Sequence, residues 1–489
     1  MKLTYKNLTG LAGIVLLSLS ITGLSSCNKD FLNKVPELNV PENLAFETPE
    51  RVLAQVNGLY FSAKAGALFG GRYYIYNDIR GEEFRNRTSN GVTGFGAYMF
   101  TNDPSDTYIA NFWNQGYLTI NRANKFLHEI ELPENKSIVS DAQRANYIAE
   151  AKFVRGWVYY ALVHMFAKPY TTDAGASRGL PLRLQPETTT ANNNLPPSTV
   201  AQVYQQILSD LDAAEAGLPD NYGSNTTLRT TRAHKNTAIA LKTRVYLAMG
   251  KYPDVIREAN KIVSESAPFK SPNRVVHALQ ENVANAFGAS AQTLENILSV
   301  PMATTNAPGT QNQLGYYYNA GNIEYFLNQS APGIYANTTA WPSGDARRTS
   351  FTSVYSAAWH MLSKWSATSP YIDWVPVIRY AEVLLNLAEA EAEAGSLSRS
   401  QALVEAVRHR SHATYTVPAF TTKEIALANI FLERRIELLG EGFRIPDLQR
   451  RLQPIVSVGA GIANPIPSTD SRYIFPIPTN ETLTNPGMK

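Results

Sequence analysis

Cysteine is almost absent from this chain, because Cys27 is the single cysteine among 489 residues. One cysteine cannot form an internal disulfide, which excludes a disulfide-stapled fold. An excess of either charge is lacking as well, since 44 basic and 41 acidic side chains leave a formal net charge of +3. This balance gives no indication of a nucleic-acid groove or of a polybasic membrane surface.

Two motifs that signal catalysis are also lacking, because the chain contains no Walker loop and no dinucleotide-binding glycine pattern. His409 and His412 have a spacing that could ligate a metal, but no HExxH motif and no cysteine partner accompanies them. We therefore expect no catalytic residue, no metal and no cofactor.

Long hydrophobic runs are missing except near the N-terminus. Lys2 and Lys6 precede an apolar stretch over residues 8–21, which is too short to span a bilayer comfortably. Leu24, Ser25 and Ser26 then lead to Cys27, an order that resembles a bacterial lipoprotein cleavage box. We expect residues 1–26 to be a removed signal peptide and Cys27 to carry acyl chains such as palmitate; the alternative is an ordinary secretory signal with an incidental cysteine.

The body of the chain is predicted to be mainly helical. Residues 27–48, with Pro36 and Pro41, are typical of an extended tether, and 49–489 are predicted to form a single domain. Apolar residues recur at helical spacing, with small residues where helices would touch, which favours a tetratricopeptide-like scaffold of helical pairs. Helices are predicted at 51–63, 105–130, 140–168, 198–217, 232–250, 253–265, 376–394, 398–411 and 422–439.

Two regions interrupt the helical pattern, residues 66–104 and about 266–374. Both are rich in Gly, Asn, Ser, Thr and Pro, and irregular segments of this length in a compact domain usually carry function. From Tyr316 to Trp374 the chain has 13 aromatic residues among 59, about twice the chain average of 10%. We therefore expect a ligand-binding face in these loop-rich regions.

Motifs of one known family follow one another along the chain in the expected order. They are CNKDFLNKVP (27–36), EAKFVRGWVYY (150–160), LKTRVYL (241–247), RYAEVLLNLAEA (379–390), ERRIELLGEGFRIPDL (433–448) and FPIPTNETLTNP (475–486). Together they resemble the SusD/RagB family from Cys27 to the last residues. Gly156 and Ile445-Pro446 depart slightly from the family pattern.

This resemblance implies a lipoprotein of the bacterial outer membrane that acts at the cell surface as a nutrient-binding protein and not as an enzyme. It would work with a SusC-like TonB-dependent transporter and hand it an oligosaccharide or, in some members, a peptide. Two alternatives of other classes stay open at this point. They are a surface hydrolase acting on the same polymer and a structural or adhesive surface protein.

The charged motifs could be mistaken for acid–base machinery. Arg379, Glu382 and Glu389, like the block from Glu433 to Glu441, have the i,i+3 and i,i+4 spacings of helical ion pairs. Interleaved arginines would lower the pKa of these carboxyl groups, whereas a glycosidase needs one carboxyl with a raised pKa. We predict that these residues lock helices together.

The candidate ligand-binding residues combine aromatic rings with polar groups. An exposed ring can cover the apolar face of a sugar while amides and guanidinium groups bond its hydroxyls. Trp113 and Trp157 lie at helical spacing and are predicted to be structural. The residues predicted to contact the ligand are Arg80, Asn86, Arg87, Asn90, Tyr316, Tyr317, Tyr318 and Asn319.

Overall fold

The structure, a computed structural model, describes residues 44–489 apart from 274, 320 and 321. The predicted signal peptide, Cys27 with its predicted lipidation, and most of the predicted tether lie outside these residues. Within the described part of the chain, no helix has both the length and the apolar character that crossing a bilayer requires.

Helices dominate the architecture. They are α1 (Pro49–Ala63), α2 (Arg72–Ile79), α3 (Phe95–Met99), α4 (Thr107–Glu129), α5 (Asp141–Phe166), α6 (Val200–Gly217), α7 (Thr226–Thr231), α8 (Lys235–Ala248), α9 (Tyr252–Ala259), α10 (Leu314–Tyr318), α11 (Ala346–Phe351), α12 (Tyr380–Ala394), α13 (Leu397–Ser411), α14 (Lys423–Glu437), α15 (Arg444–Arg450) and α16 (Thr479–Thr484). Each of the nine predicted helices overlaps one of these, so the mainly helical fold class is confirmed.

Short strands pair off beside the helices. They are β1 (Phe84–Asn86), β2 (Asn296–Val300), β3 (Tyr325–Leu327), β4 (Thr352–Ser356), β5 (Trp359–Leu362) and β6 (Val375–Arg379). The pairs β1–β3, β2–β6 and β4–β5 are antiparallel. The predicted helix at 376–394 begins at Tyr380 instead, because its first residues form strand β6.

Capping residues fix where several helices begin. Ser140 and Gln143 form a capping box at the start of α5, and Thr199 and Gln202 form another at the start of α6. Each box satisfies backbone N–H groups that would otherwise lack a partner in the first turn. Asp106 caps α4 by accepting hydrogen bonds from two backbone N–H groups.

Neighbouring helices pack in pairs around one large hydrophobic core. Helix α5 contacts α4 and α6, α8 contacts α9, and α12 contacts α13 and α14. The core cluster contains residues from Phe46 to Met488, near the two ends of the described chain. Trp113 and Trp157 lie in this core, as predicted, and Trp157 stacks on Phe69 with ring centroids 3.8 Å apart.

Buried ion pairs join these helices to each other. Arg155 of α5 bonds Asp210 of α6 at 2.6 Å, and Arg244 of α8 bonds Glu382 of α12 at 2.6 Å. Arg379 bonds Glu437 at 2.8 Å and Glu441 at 2.7 Å. The prediction that the charged motifs lock helices together is confirmed by these contacts.

Candidate functional site

The two loop-rich regions meet through a strand pair. Strand β1 from the first region pairs with β3 from the second, with Phe84 opposite Leu327 and Asn86 opposite Tyr325. The ladder continues beyond the strands, because the Arg87 N–H donates to the Glu324 carbonyl at 2.9 Å. Residues of the two loop-rich regions therefore lie next to each other.

An aromatic platform, formed by Phe326, Tyr355 and Trp359, lies on top of this strand pair. The Phe326 ring is fully buried, and its centroid is 4.7 Å from that of Trp359 and 5.6 Å from that of Tyr355. Tyr355 is 55% exposed and Trp359 is half-buried. The buried ring thus supports two rings that solvent can reach.

The β4–β5 hairpin holds the platform outward. Tyr355 lies on β4 and Trp359 begins β5, and the pairing shifts register between Val354 and Ser356. A local bulge of this kind turns side chains away from regular alternation. Val354 and Tyr355 are consequently both exposed, at 67% and 55%.

Two guanidinium groups lie beside the platform. The Arg85 Cζ is 5.1 Å from the Trp359 ring centroid, and the Arg87 Cζ is 6.0 Å from that of Phe326. Arg87 is exposed, and its guanidinium donates to the carbonyls of Ile323 at 3.0 Å and Asn322 at 3.3 Å. Such contacts orient the rings and leave N–H donors at the edge of the platform.

Asn86 and Asn90 shape the loop that follows β1. The Asn86 side-chain oxygen accepts from the Ser89 N–H at 2.7 Å, and that of Asn90 accepts from the Val92 N–H at 3.0 Å. Both side chains are partly exposed. Their predicted contact with ligand stays a prediction.

The three consecutive tyrosines do not form a strand. They lie in the short helix α10, and Tyr317 and Tyr318 have no exposed surface. The Tyr318 hydroxyl donates to Asp78 at 3.1 Å, and that of Tyr317 donates to the Gln311 carbonyl at 2.8 Å. This corrects the expectation that these two rings face a ligand, since they belong to the core.

Tyr316 and Asn319 differ from the two buried tyrosines. Tyr316 is partly exposed, and its ring meets that of Tyr371 edge-on at 5.7 Å. Asn319 is also partly exposed, and it donates to the Trp365 carbonyl at 3.1 Å. Of the predicted Tyr316–Asn319 segment, these two residues remain accessible to a ligand.

Arg80 lines a cavity that is separate from the aromatic platform. Its side chain is 2% exposed and donates to the carbonyls of Arg472 and Tyr473 at 2.8 and 3.0 Å. The cavity has a volume of about 250 Å³ and includes none of the platform residues in its lining. Arg80 therefore does not share the surface of Asn86 and Arg87.

Tyr355 and Trp359 are platform residues that the sequence analysis does not identify. The segment from Thr352 to Leu362 contains Val354, Tyr355 and Trp359 around the small residues Ala357 and Ala358. Apolar side chains on both faces of a short hairpin are a signal that one face meets something other than the core. The choice of exposed ring could not be read from residue type alone.

Buried carboxylates near this surface are held by local partners. Glu324 accepts from Asn322 at 2.6 Å and from Thr93 at 3.1 Å. Burial raises the pKa of Glu83, which bonds Arg435 at 2.7 Å and accepts from the Ile334 N–H at 2.7 Å. Each of these acids thus supports the loops from below the surface.

The histidines at 409 and 412 do not form a metal centre with other groups. His409 bonds the Tyr415 carbonyl at 2.9 Å. Among residues 44–489, apart from the three undescribed positions, no cluster of three or more metal-ligating side chains is present.

Comparison with known proteins gives a consistent relationship over most of the chain. Residues 30–247 match the SusD-like model described as starch-binding and associating with the outer membrane, and residues 310–489 match the SusD family model. A SusD-like protein of Formosa agariphila is 23% identical, with 99% of this chain and 98% of that protein covered.

Solved structures resemble this one closely. A SusD superfamily protein from Bacteroides fragilis is 33% identical, with a TM-score of 0.82, and the match covers 91% of this chain and 100% of that one. A laminarin-binding SusD-like protein is 21% identical, with a TM-score of 0.67 over 90% of this chain and 98% of that one. These two proteins thus share the helical scaffold of this chain. The resemblance to the laminarin-binding protein concerns the fold alone.

Proposed function

The chain belongs to the SusD family, and on this premise we propose that it captures an oligosaccharide at the cell surface and delivers it to a SusC-like TonB-dependent transporter. The observation that carries the proposal is the aromatic platform, with its exposed Tyr355 beside half-buried Trp359. The platform lies where the two loop-rich regions pair, which is the place expected for ligand.

The platform suits the chemistry of a sugar ring. A pyranose has an apolar face of C–H groups surrounded by hydroxyls, so an aromatic ring can cover the face while polar groups bond the rim. Tyr355 and Trp359 supply two such rings, centred 5.6 and 4.7 Å from the buried Phe326 ring. Arg87 and Asn86 are proposed as partners of the hydroxyls at the edge.

A binding role is favoured over hydrolysis by the way the nearby acids are used. A glycosidase holds two carboxyl groups about 5–9.5 Å apart on either side of the scissile bond, open to water and substrate. Glu324 and Glu83 are instead 2% and 3% exposed, and both are bonded by neighbouring side chains or backbone. Product analysis tests this point directly.

The proposed location is the outer membrane surface, with Cys27 as the lipid-bearing residue. Two or more acyl chains attached there, each contributing about 0.8 kcal/mol per buried methylene, would hold the protein stably at the membrane. A tether over residues 28–48 would then place the folded body beside its transporter.

The test is calorimetric titration of the full-length protein with a panel of oligosaccharides and peptides, followed by product analysis of each sample. The panel includes starch fragments and laminarin oligosaccharides. Binding with the saccharide left intact supports the proposal. Shortened saccharide would instead establish a hydrolase, and binding of peptides alone would replace the saccharide by a peptide.

Substitutions on the platform locate the site. Tyr355→Ala is expected to weaken saccharide binding by about 2- to 12-fold, the equivalent of about 0.5–1.5 kcal/mol for one aromatic contact, and Tyr355→Phe should retain most of the affinity. Phe61→Ala is the matched control, because Phe61 is 57% exposed on α1 and lies outside the platform. Equal affinities for Tyr355→Ala and Phe61→Ala would show that ligand binds elsewhere.

A further inference from the structure

Arg80 is a buried cation that makes no ion pair within the described part of the chain. Only 2% of its surface is exposed, and no carboxylate is among the groups that influence its charge. Its Nη2 donates hydrogen bonds to two backbone carbonyls, and Nε and Nη1 have no protein acceptor among the described residues. By contrast, the equally buried Arg347 and Arg379 each bond several carboxylates.

An uncompensated charge in this setting is costly. Two aromatic rings hold the guanidinium, with its Cζ 4.8 Å from the Phe100 centroid and 4.6 Å from that of Phe475. Burial lowers the pKa of Arg80 to about 9, so the group is still charged at neutral pH. Removing a charge from water without an opposite charge costs free energy that an incoming anion can recover.

A cavity lies beside this charge. Its volume is about 250 Å³, it is open to solvent on one side, and its lining comes from the segment between Ala97 and Pro104 and from the C-terminal segment between Ser471 and Pro476. The volume is below the roughly 300 Å³ at which pockets for drug-sized ligands begin, so the cavity suits a single small group. Phe100 and Phe475 supply apolar walls, and Asn102 and Ser471 supply polar ones.

The other charged groups that line the cavity do not prevent an anion from binding. Arg472 is neutralised by Asp470 at 2.7 Å. Asp103 is exposed, and its Oδ1 accepts from the N–H and the hydroxyl of Ser105 at 2.7 and 2.6 Å. Asp103 opposes an anion, but solvent screens its charge.

We propose that this cavity is an anion subsite, in which Arg80 binds the carboxylate or sulfate group of an acidic saccharide. Phe100 and Phe475 flank the guanidinium, and Ser471 and Asn102 bond the neighbouring oxygens of the ligand. The saccharide part of this inference rests on the proposed function, whereas the anion part rests on Arg80 and its cavity alone.

The first experiment compares four probes with the full-length protein by calorimetry at low salt: glucuronate, glucose, acetate and inorganic sulfate. Glucuronate is expected to bind at least about tenfold more tightly than glucose, since a charge-assisted hydrogen bond adds to the ring contacts. Added salt should weaken glucuronate and leave glucose unchanged. Equal affinities for glucuronate and glucose would overturn the anion subsite.

Acetate and sulfate separate the saccharide from its charged group. If they bind much more weakly than glucuronate, the acidic saccharide is supported. If either binds as tightly as glucuronate, the cavity takes free anions and the saccharide part of the inference is overturned.

Variants test the cavity without removing Arg80, which also holds the C-terminal segment. Ser471→Glu places a carboxylate in the cavity from an exposed position and should abolish glucuronate binding. Asp103→Asn removes the opposing charge and should strengthen it by a few fold. Unchanged glucuronate affinity in both folded variants would refute the assignment.

The platform site and the anion subsite can be tested independently of each other. Ser471→Glu should leave the binding of neutral oligosaccharides at the aromatic platform unchanged, and Tyr355→Ala should leave glucuronate binding unchanged. Loss of glucuronate binding in Tyr355→Ala would move the acidic group to the platform and overturn the separate subsite.

Discussion

Glu437 provides a stringent test of how the core is held together. Its carboxylate is 1% exposed and accepts from Arg410 at 2.6 Å, from Arg379 at 2.8 Å and from Arg347 at 2.9 Å. Burial by itself would raise the pKa of Glu437, but these three guanidinium groups hold it well below its usual value. The carboxylate therefore joins three segments of the chain as a buried anion.

Glu437→Gln removes the charge and keeps the shape. The surrounding network consists of Arg347, Lys364, Arg379, Arg408 and Arg410 with Glu295, Asp345, Glu433, Glu437 and Glu441. The substitution leaves the five bases facing four acids. Removing one partner from a buried pair costs about 3–5 kcal/mol, because the remaining charge is buried without compensation. We expect a loss of that size in the free energy of unfolding.

Urea unfolding at pH 7, followed by circular dichroism, measures this loss. Glu131→Gln is the matched control, since Glu131 is about half exposed and lies 3.6 Å from Lys136 and Arg144. An exposed pair of this kind contributes less than about 1 kcal/mol. If Glu437→Gln proves no more destabilising than Glu131→Gln, the network does not stabilise the fold in the way argued.

Three further predictions concern pH, the core and the membrane. Burial lowers the pKa of His277 to about 4 and that of His164 to about 3. Between pH 6.5 and 4 only the unfolded chain takes up these protons, so the free energy of unfolding should fall by up to about 1.4 kcal/mol per pH unit for each histidine as the pH drops below ~6.5. Urea midpoints that do not change between pH 7, 6 and 5 would contradict this. In urea unfolding, Tyr318→Ala should lower the free energy of unfolding by about 3–5 kcal/mol and Tyr316→Ala by less than about 1 kcal/mol. Similar losses for the two variants would contradict the different burial of the two rings. Cys27→Ala should move the protein from the membrane fraction to the soluble fraction on cell fractionation, and persistence in the membrane would exclude lipidation at this residue as the anchor.

The long helices could be predicted because their signals are local. In α5 and α6 the capping boxes at Ser140 and Thr199 stand directly before apolar residues at helical spacing. Helix α2 was not predicted, since its sequence RYYIYNDI is rich in aromatic residues that favour strands, and burial of the whole helix decides its conformation. Local propensity yields to tertiary packing in such short segments.

The site was predictable as a region and not as a set of residues. The density of aromatics after Tyr316 indicated where rings accumulate, but exposure depends on contacts distant in sequence. Tyr318 is buried because Asp78, 240 residues earlier, accepts its hydroxyl, whereas Tyr355 is exposed because a hairpin carries it outward. Neither contact leaves a trace in the residues next to these tyrosines.

The partners of the buried arginines also lie far away in the sequence. Arg379 and Arg80 are similarly buried, yet Arg379 finds carboxylates on Glu295, Glu437 and Glu441, and Arg80 finds backbone carbonyls of Arg472 and Tyr473. The motif RYAEVLL predicts an ion pair for Arg379, but its observed partners lie 58 to 84 residues away along the chain and not at helical spacing. Nothing near Arg80 indicates that its partners lie at the far end of the chain. A buried guanidinium that the fold neutralises belongs to the scaffold. A buried guanidinium that stays charged beside a cavity can still bind an anion. For Arg80 we propose that this anion comes from outside the described chain.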